Sequence, residues 1–157
     1  FYKDIPFIAK ILKINIKAIL AKGMNNYLCK NRFNTVMEKV CELFTFEETL
    51  EYMSLIIWSQ LTKTGDISEC NSFKIKNNQK IWNIVKYESE SCMIAPSEHF
   101  NECFYQIMVE ETKTCNILIV NHALLASSLV TNETFINDNT ECILLILDIL
   151  NYSKLYI

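Results

Sequence analysis

Glycine is almost absent from this chain of 157 residues, which contains only Gly23 and Gly65. A loop that cradles nucleotide phosphates needs several glycines close together, because its backbone must approach the phosphates without side chains in the way. The chain therefore has no Gly-rich phosphate-binding loop. We expect no ATP hydrolysis by this chain alone.

Positive charge is also scarce. Arg32 is the only arginine, the net charge is −3, and the isoelectric point is about 5.4. Dedicated nucleic-acid-binding domains are usually strongly basic. Any contact with DNA would therefore need a local basic patch.

Long hydrophobic runs are missing as well. The longest apolar segments, residues 117–130 and 142–150, are interrupted by Asn121, His122 and Asp148. Neither reaches the roughly 18 apolar residues that a membrane span needs. The first residues show no secretory signal, and Phe1 is not an initiator methionine, so we expect the protein to begin upstream. These features predict a cytoplasmic protein with no membrane contact.

Cysteine, in contrast, is abundant. The odd number and irregular spacing of the cysteines argue against a disulfide framework and favour free or metal-bound thiols in a reducing compartment. Three of them lie in apolar periodic segments and are expected in the core: Cys41, Cys115 and Cys142. The seven cysteines are Cys29, Cys41, Cys70, Cys92, Cys103, Cys115 and Cys142.

Apolar periodicity predicts the order of the elements. Helical spacing predicts helices that begin near Asp4 and over residues 31–44, 46–61, 80–87, 104–111 and 122–129. Short apolar runs predict buried strands over residues 17–21, 117–120 and 142–147. The order is strand, long helical stretch, strand, helix, strand, which predicts an α/β fold with a parallel sheet, predominantly α by residue count.

The helix over residues 46–61 carries the clearest local signals. Thr45 followed by Glu48 matches a capping box. Helical spacing places four apolar residues on one face: Leu50, Met53, Ile57 and Leu61.

Six short motifs follow one another along the chain. They are Lys3-Asp4-Ile5-Pro6, Lys22-Gly23-x-x-Asn26-Tyr27-Leu28-Cys29, Trp58 with Thr62-Lys63-Thr64-Gly65-Asp66, Ser91-Cys92, Cys103-Phe104-Tyr105, and Ile119-Val120-Asn121-His122-Ala123-Leu124-Leu125. In this order they resemble the iron–sulfur-containing segment of DinG/XPD-type superfamily 2 ATP-dependent DNA helicases. The resemblance implies that residues 1–28 are part of the first motor domain and that residues 29–115 form a helical iron–sulfur-type insertion. Residues 116–157 would return to the motor domain, truncated at the Walker B strand.

The resemblance also implies cluster ligands. Cys29, Cys92 and Cys103 match three of the four cysteines of the family, and Ser97 stands at the fourth position. Three thiolates could hold a 3Fe–4S cluster, or a 4Fe–4S cluster with one labile iron, and His99 could replace the missing ligand. The alternative is a site without a cluster, in which these cysteines are merely small buried residues.

Beside Cys29 the resemblance implies a DNA contact. Lys22, Tyr27, Lys30 and Arg32 are the candidate residues for it, with solvated surface charge as the alternative for the basic ones. Met24 stands where the family has an arginine. The expected partners are single-stranded DNA or DNA junctions, together with the remaining segments of the helicase.

Two further positions complete the comparison with the family. Asn121 and His122 are expected to cap the helix that follows them, a structural role. Asp148 is a possible remnant of the D-E-A-H motif, whose glutamate and histidine do not follow it. ATP and Mg²⁺ would therefore bind only in an intact parent helicase, for which the family implies 5′-to-3′ unwinding. The alternatives are a stand-alone, non-catalytic module that binds iron–sulfur or single-stranded DNA, and an unrelated small helical protein.

Overall fold

The computed structural model describes residues 3–89, 102–131 and 142–146. The seven helices of this part of the chain are α1 (Asp4–Leu12), α2 (Lys30–Met37), α3 (Val40–Leu43), α4 (Phe46–Leu61), α5 (Gln79–Val85), α6 (Phe104–Thr112) and α7 (His122–Thr131). The strands are β1 (Ala18–Leu20), β2 (Ile117–Asn121) and β3 (Cys142–Ile146), and two 3₁₀ turns span Met24–Asn26 and Ile67–Glu69. Within the described ranges, no helix combines the length and apolar character that crossing a bilayer requires.

The three strands form one parallel sheet in the order β1-β2-β3. Ala18 lies opposite Ile117, and Ile117 lies opposite Cys142. Leu118, Ile119 and Val120 of the central strand are all buried. Such an unbroken apolar run is typical of a parallel strand that is covered on both faces. The predicted α/β fold with its partial parallel sheet is confirmed.

The chain divides into two compact units. The first comprises Phe1–Lys22 and Met108–Ile157 and contains the sheet, and the second is Gly23–Ile107. In the first unit, β1 and β2 are joined at their start by Lys17, whose amide donates to Asn116 Oδ1 at 3.0 Å and whose Nζ donates to Thr114 Oγ1 at 2.6 Å.

An aromatic core holds the second unit together. Tyr52 is fully buried, and its ring stacks on Phe33 with a centroid distance of 5.1 Å. The Tyr52 hydroxyl donates to the Phe33 carbonyl at 2.7 Å, which satisfies the one polar atom of this side chain. Burial raises the pKa of Tyr52 well above its ordinary value. Leu55 and Val85 are also fully buried in this unit.

Helix α4 confirms the predicted capping box and adds an unexpected orientation. The Glu48 amide donates to Thr45 Oγ1 at 3.3 Å, and the Thr45 amide donates to Glu48 Oε2 at 2.9 Å. The face that α4 buries carries Tyr52, Leu55 and Trp58. The four apolar residues that share one predicted face are all exposed: Leu50, Met53, Ile57 and Leu61.

The single helix predicted over residues 31–44 is wrong in one respect. The structure breaks it into α2 and α3, because Lys39 leaves the helical region with φ −123° and ψ 19°. The Lys39 amide still donates to the Val36 carbonyl at 3.0 Å. This break lets the short helix α3 lead directly into the cap of α4.

Candidate metal centre

Cys29 is fixed by backbone pairing on both sides of a short extended stretch. Tyr27 forms an antiparallel bridge with Asp66, and Leu28 forms one with Lys86. The Cys29 amide donates to the Val85 carbonyl at 2.9 Å. Cys29 then serves as the N-cap residue of α2 with an extended backbone, and it is almost fully buried. Its position is therefore set by two loops and one helix start.

The turn that supports this stretch is the predicted Thr62-to-Asp66 motif. The Gly65 amide donates to Thr62 Oγ1 at 2.9 Å, and the Asp66 amide donates to Thr64 Oγ1 at 3.1 Å. The Gly65 carbonyl accepts from the Leu28 amide at 2.9 Å. The two threonines therefore shape a turn whose carbonyl holds the residue next to Cys29.

Gly65 is required at this turn for two reasons. Its φ of +68° lies in the left-handed region that favours glycine. A Cβ at this position would also collide with the ring of Phe104. Phe104 directly follows Cys103, so the turn contacts the neighbours of both cysteines.

Lys30 provides a second link, after Gly65, between the segments that contain Cys29 and Cys103. Its Nζ pairs with Glu102 Oε2 at 3.2 Å and lies 4.9 Å from the centre of the Phe104 ring. Glu102 and Phe104 flank Cys103 in the chain. The structure thus brings together two cysteines that the sequence places far apart, since Lys30 and Glu102 are separated by 72 positions.

The electrostatics of Cys103 reflect the same neighbourhood. Burial raises the pKa of the Cys103 thiol, and the nearby Cys29 raises it further. Backbone amides of Gln106 and Tyr105 at the start of α6, together with Lys30, oppose this rise only in part. The neutral thiol is therefore favoured, and a metal must displace its proton to bind.

The other predicted ligands, Cys92, Ser97 and His99, lie outside the described residues, as does Asp148. In the part of the chain that the structure describes, no three His, Cys, Asp or Glu side chains are grouped as a metal site. Cys115 is buried as predicted, whereas Cys41 is exposed, so its predicted place in the core is wrong. Cys41 stands on the short helix α3, which buries no residue.

The residues predicted to contact DNA have different surroundings. Tyr27 is buried, with its ring 5.6 Å from that of Tyr105, so contact with a base would require it to leave the core. Arg32 donates through Nε to the Ile84 carbonyl at 2.7 Å and pairs through Nη1 with Glu88 at 2.5 Å. These contacts tie α2 to the end of α5.

The two predicted lysines are less enclosed. The Lys30 side chain is about a third exposed, and Lys22 is half-buried. Sequence reasoning missed Glu102, the partner of Lys30, although its position directly before Cys103 was the available signal.

Asn121 is the last residue of β2 and directly precedes α7. Its Oδ1 accepts from the Leu124 amide at 2.8 Å, which is the geometry of a helix N-cap. His122 is the first residue of α7. The pair thus lies at the carboxyl end of the central strand. Parallel α/β folds commonly bind ligands at the carboxyl ends of their strands.

Comparison with known proteins agrees with the motifs. The chain is 26% identical over 134 residues to the ATP-dependent DNA helicase YoaA of Escherichia coli, a match that covers 85% of this chain and 21% of YoaA. It is 28% identical over 123 residues to the 3'-5' exonuclease DinG of Bacillus subtilis, covering 78% of this chain and 13% of that protein. With the 3'-5' exonuclease DinG of Staphylococcus aureus the identity is 29% over 133 residues, covering 85% and 14%.

No family model matches the chain. The matched region spans only 13–21% of the length of these three relatives. The resemblance that the motifs indicate is nevertheless confirmed: the chain is related, over most of its length, to one segment of the DinG-like and YoaA-like proteins.

Proposed function

We propose that this chain is the cluster-bearing segment of a DinG-like, ATP-dependent DNA helicase and that it contributes to binding single-stranded DNA. One observation carries the proposal. Cys29 and Cys103, which match the family's motifs at the first ligand and at the last border of the cluster loop, lie in one neighbourhood bound together by Lys30 and Gly65. Ligands that share one metal group must be close in space, and these two are.

Two cysteine thiols in one neighbourhood support an iron–sulfur group at this position. Cys29 and Cys103 would supply two thiolates, with Cys92 as the third ligand and Ser97 or His99 at the fourth position. Such a group would cross-link the loop before α6 to the start of α2, and it would add a redox-active centre. The chain's own part is to hold the two thiols at fixed positions. The Cys29 amide donates a hydrogen bond to the Val85 carbonyl, and the amides at the start of α6 contact the Cys103 thiol.

Anaerobic reconstitution with iron and sulfide tests this proposal. We expect the chain to retain several iron atoms per molecule after desalting, with absorbance near 400 nm, and we expect Cys29→Ser and Cys103→Ser each to lose most of both. Cys70→Ser is the matched control, because Cys70 is as buried as Cys29 and has no place in the motif. Equal iron retention by all four proteins would refute a cluster at this site.

The DNA contact in the proposal rests on basic side chains. The pairing of Lys30 with Glu102 is a surface ion pair, which costs little to exchange for a phosphate. Lys22 belongs to the matched motif and is the second candidate. Tyr27 and Arg32 would support the backbone that presents Lys30.

Fluorescence anisotropy with a single-stranded oligonucleotide tests the contact. We expect binding that weakens as salt rises, and a shallower salt dependence for Lys30→Gln. Lys74→Gln, an exposed change in the loop before α5, is the control. An affinity for the oligonucleotide that changes neither with salt nor in Lys30→Gln would contradict the proposed DNA contact.

ATP hydrolysis is not part of the activity proposed for this chain alone. A chain with two glycines cannot build the loop that holds the phosphates, and without it Mg²⁺ has no nucleotide to neutralise. The alternative of a stand-alone binding module makes the same prediction for this chain. The two differ in whether DNA-stimulated ATPase activity appears when the chain is part of a longer helicase polypeptide.

A further inference from the structure

The outward face of α4 carries a continuous apolar surface. Five side chains form it, each at least half exposed. They are spaced by four, three, four and four residues, which places all five on one face of the helix. We call this surface the α4 stripe; it consists of Phe46, Leu50, Met53, Ile57 and Leu61.

The α4 stripe is complementary to itself when a second copy runs in the opposite direction. Phe46 then meets Leu61 of the other copy, and Leu50 meets Ile57. Met53 lies next to the two-fold axis and meets its own equivalent. A surface that matches itself under a two-fold rotation is what an isologous dimer interface requires.

The charged residues at the two ends of the α4 stripe also favour an antiparallel pair. Glu47 is exposed beside the N-terminal end of the stripe, and Lys63 is exposed just beyond its C-terminal end. An antiparallel pair brings Glu47 of each copy towards Lys63 of the other, and it opposes the two helix dipoles. A parallel pair would instead place Glu47 against Glu47, which is unfavourable.

The area of the stripe fits a weak pair. Complete burial of its exposed side chains would remove roughly 500–600 Å² from each copy, a total at or just below the lower limit of about 1,200 Å² for a specific interface. We propose that the α4 stripe joins two copies of this chain in an antiparallel, two-fold dimer. The dimer forms in the micromolar range and is independent of the metal centre.

Sedimentation equilibrium of the full chain tests the proposal. We expect a monomer–dimer equilibrium, and we expect Ile57→Lys to weaken it at least tenfold with an unchanged circular dichroism spectrum. Ile11→Lys in α1 is the matched control, because Ile11 is 61% exposed and Ile57 is 65% exposed. A wild-type chain that stays monomeric at about 100 micromolar, which is far above a micromolar Kd, would overturn the proposal. A dimer that only Ile11→Lys weakens would overturn it as well.

Disulfide cross-linking fixes the direction of the pair. In a Cys41→Ser background, Met53→Cys should form covalent dimers on mild oxidation, because position 53 meets its own equivalent. Phe46→Cys alone should not, whereas Phe46→Cys mixed with Leu61→Cys should. Efficient cross-linking of Phe46→Cys to itself would show a parallel arrangement and contradict the proposed geometry.

Discussion

At the scale of single residues, Gly65 shows how one conformational need links two distant parts of the site. Its positive φ lets the turn after α4 present a carbonyl to Leu28, and its missing side chain makes room for Phe104. Leu28 precedes Cys29, and Phe104 follows Cys103. The geometry at both cysteines therefore depends on this one position.

We expect Gly65→Ala to lower the free energy of unfolding by about 2–4 kcal/mol, since it combines left-handed strain with a steric collision. Gly23→Ala is the control. Gly23 has φ −60°, and a Cβ there would make an ordinary contact of 3.7 Å with Asn26 Nδ2, so the change should cost under about 1 kcal/mol. Urea denaturation of both variants measures the difference. Equal losses would show that neither the positive φ nor the contact with Phe104 constrains Gly65.

Arg32 is a second residue with a specific role, which depends on the several hydrogen-bond donors of its planar guanidinium group. Its Nε and Nη2 donate to the Ile84 and Asn83 carbonyls at the end of α5, while Nη1 pairs with Glu88. A lysine carries the same charge but cannot reach three acceptors in one plane.

Arg32→Lys should therefore lower the free energy of unfolding by about 1–3 kcal/mol, although the net charge is unchanged. Urea denaturation again provides the measurement. The exposed Lys74→Arg, which makes the reverse exchange on the surface, should be neutral. If Arg32→Lys were neutral too, the guanidinium would be acting only as a solvated charge.

At the scale of elements, the start of α4 is the most completely specified feature. The capping box of Thr45 and Glu48 is extended by Lys80, whose Nζ contacts both Glu48 carboxylate oxygens at 2.9 Å. These contacts join the first turn of α4 to α5. The hydrogen bonds that Glu48 accepts from the Lys80 side chain and from the Thr45 amide hold its pKa below the usual value.

This arrangement predicts a pH dependence. Because the folded pKa of Glu48 is lowered, its contribution to stability is present above the unfolded pKa of about 4.5 and is lost as the pH falls through the folded pKa. The stability difference between wild type and Glu48→Gln should thus shrink in acid. Glu38→Gln, an exposed change just after α2, is the control, and Thr45→Ala should cost about 1 kcal/mol at neutral pH. A Glu48→Gln difference that stays constant down to pH 3 would contradict the account.

Much of the fold at this scale could be predicted from the sequence. Strand and helix order followed from apolar periodicity, and the α4 cap followed from two residues. Periodicity could not decide which apolar face of α4 meets the core, because α4 has one face with Leu50 and Ile57 and another with Tyr52 and Trp58. Only tertiary packing selects the aromatic face, through the stacking of Tyr52 on Phe33.

The candidate site was less predictable. Motif order pointed to Cys29 and Cys103, but no local pattern could show that Lys30 reaches Glu102, or that Tyr27 is buried against Tyr105. These contacts join residues more than 70 positions apart and depend on the whole second unit. The break at Lys39 likewise leaves no signal in the periodicity of residues 31–44.

At the scale of the whole molecule, the described parts leave distinct apolar surfaces exposed. Helix α1 buries no residue, and Phe7, Ile11 and Leu12 are each more than half exposed. The sheet protects its centre better than its edges, because β2 is paired on both sides while, among residues 3–89, 102–131 and 142–146, β1 and β3 each pair with β2 alone. Unpaired strand edges promote association between chains.

Hydrogen exchange should therefore be slowest in β2. We expect the amides of Leu118, Ile119 and Val120 to be the most protected of the sheet, and those of Ala18 and Ile19 in β1 to exchange at least tenfold faster. Mass spectrometry of overlapping peptides gives the comparison. Equal protection of β1 and β2 would mean that another surface covers the edge of β1.

We propose that Cys29 and Cys103 act at one metal centre. Cobalt(II) titration of the reduced chain tests it most directly, because each thiolate bound to cobalt adds ultraviolet charge-transfer absorbance. We predict that this absorbance appears at one cobalt per chain, falls in both Cys29→Ser and Cys103→Ser, and is unchanged in Cys70→Ser. Absorbance that survives the loss of either Cys29 or Cys103 would contradict the shared centre.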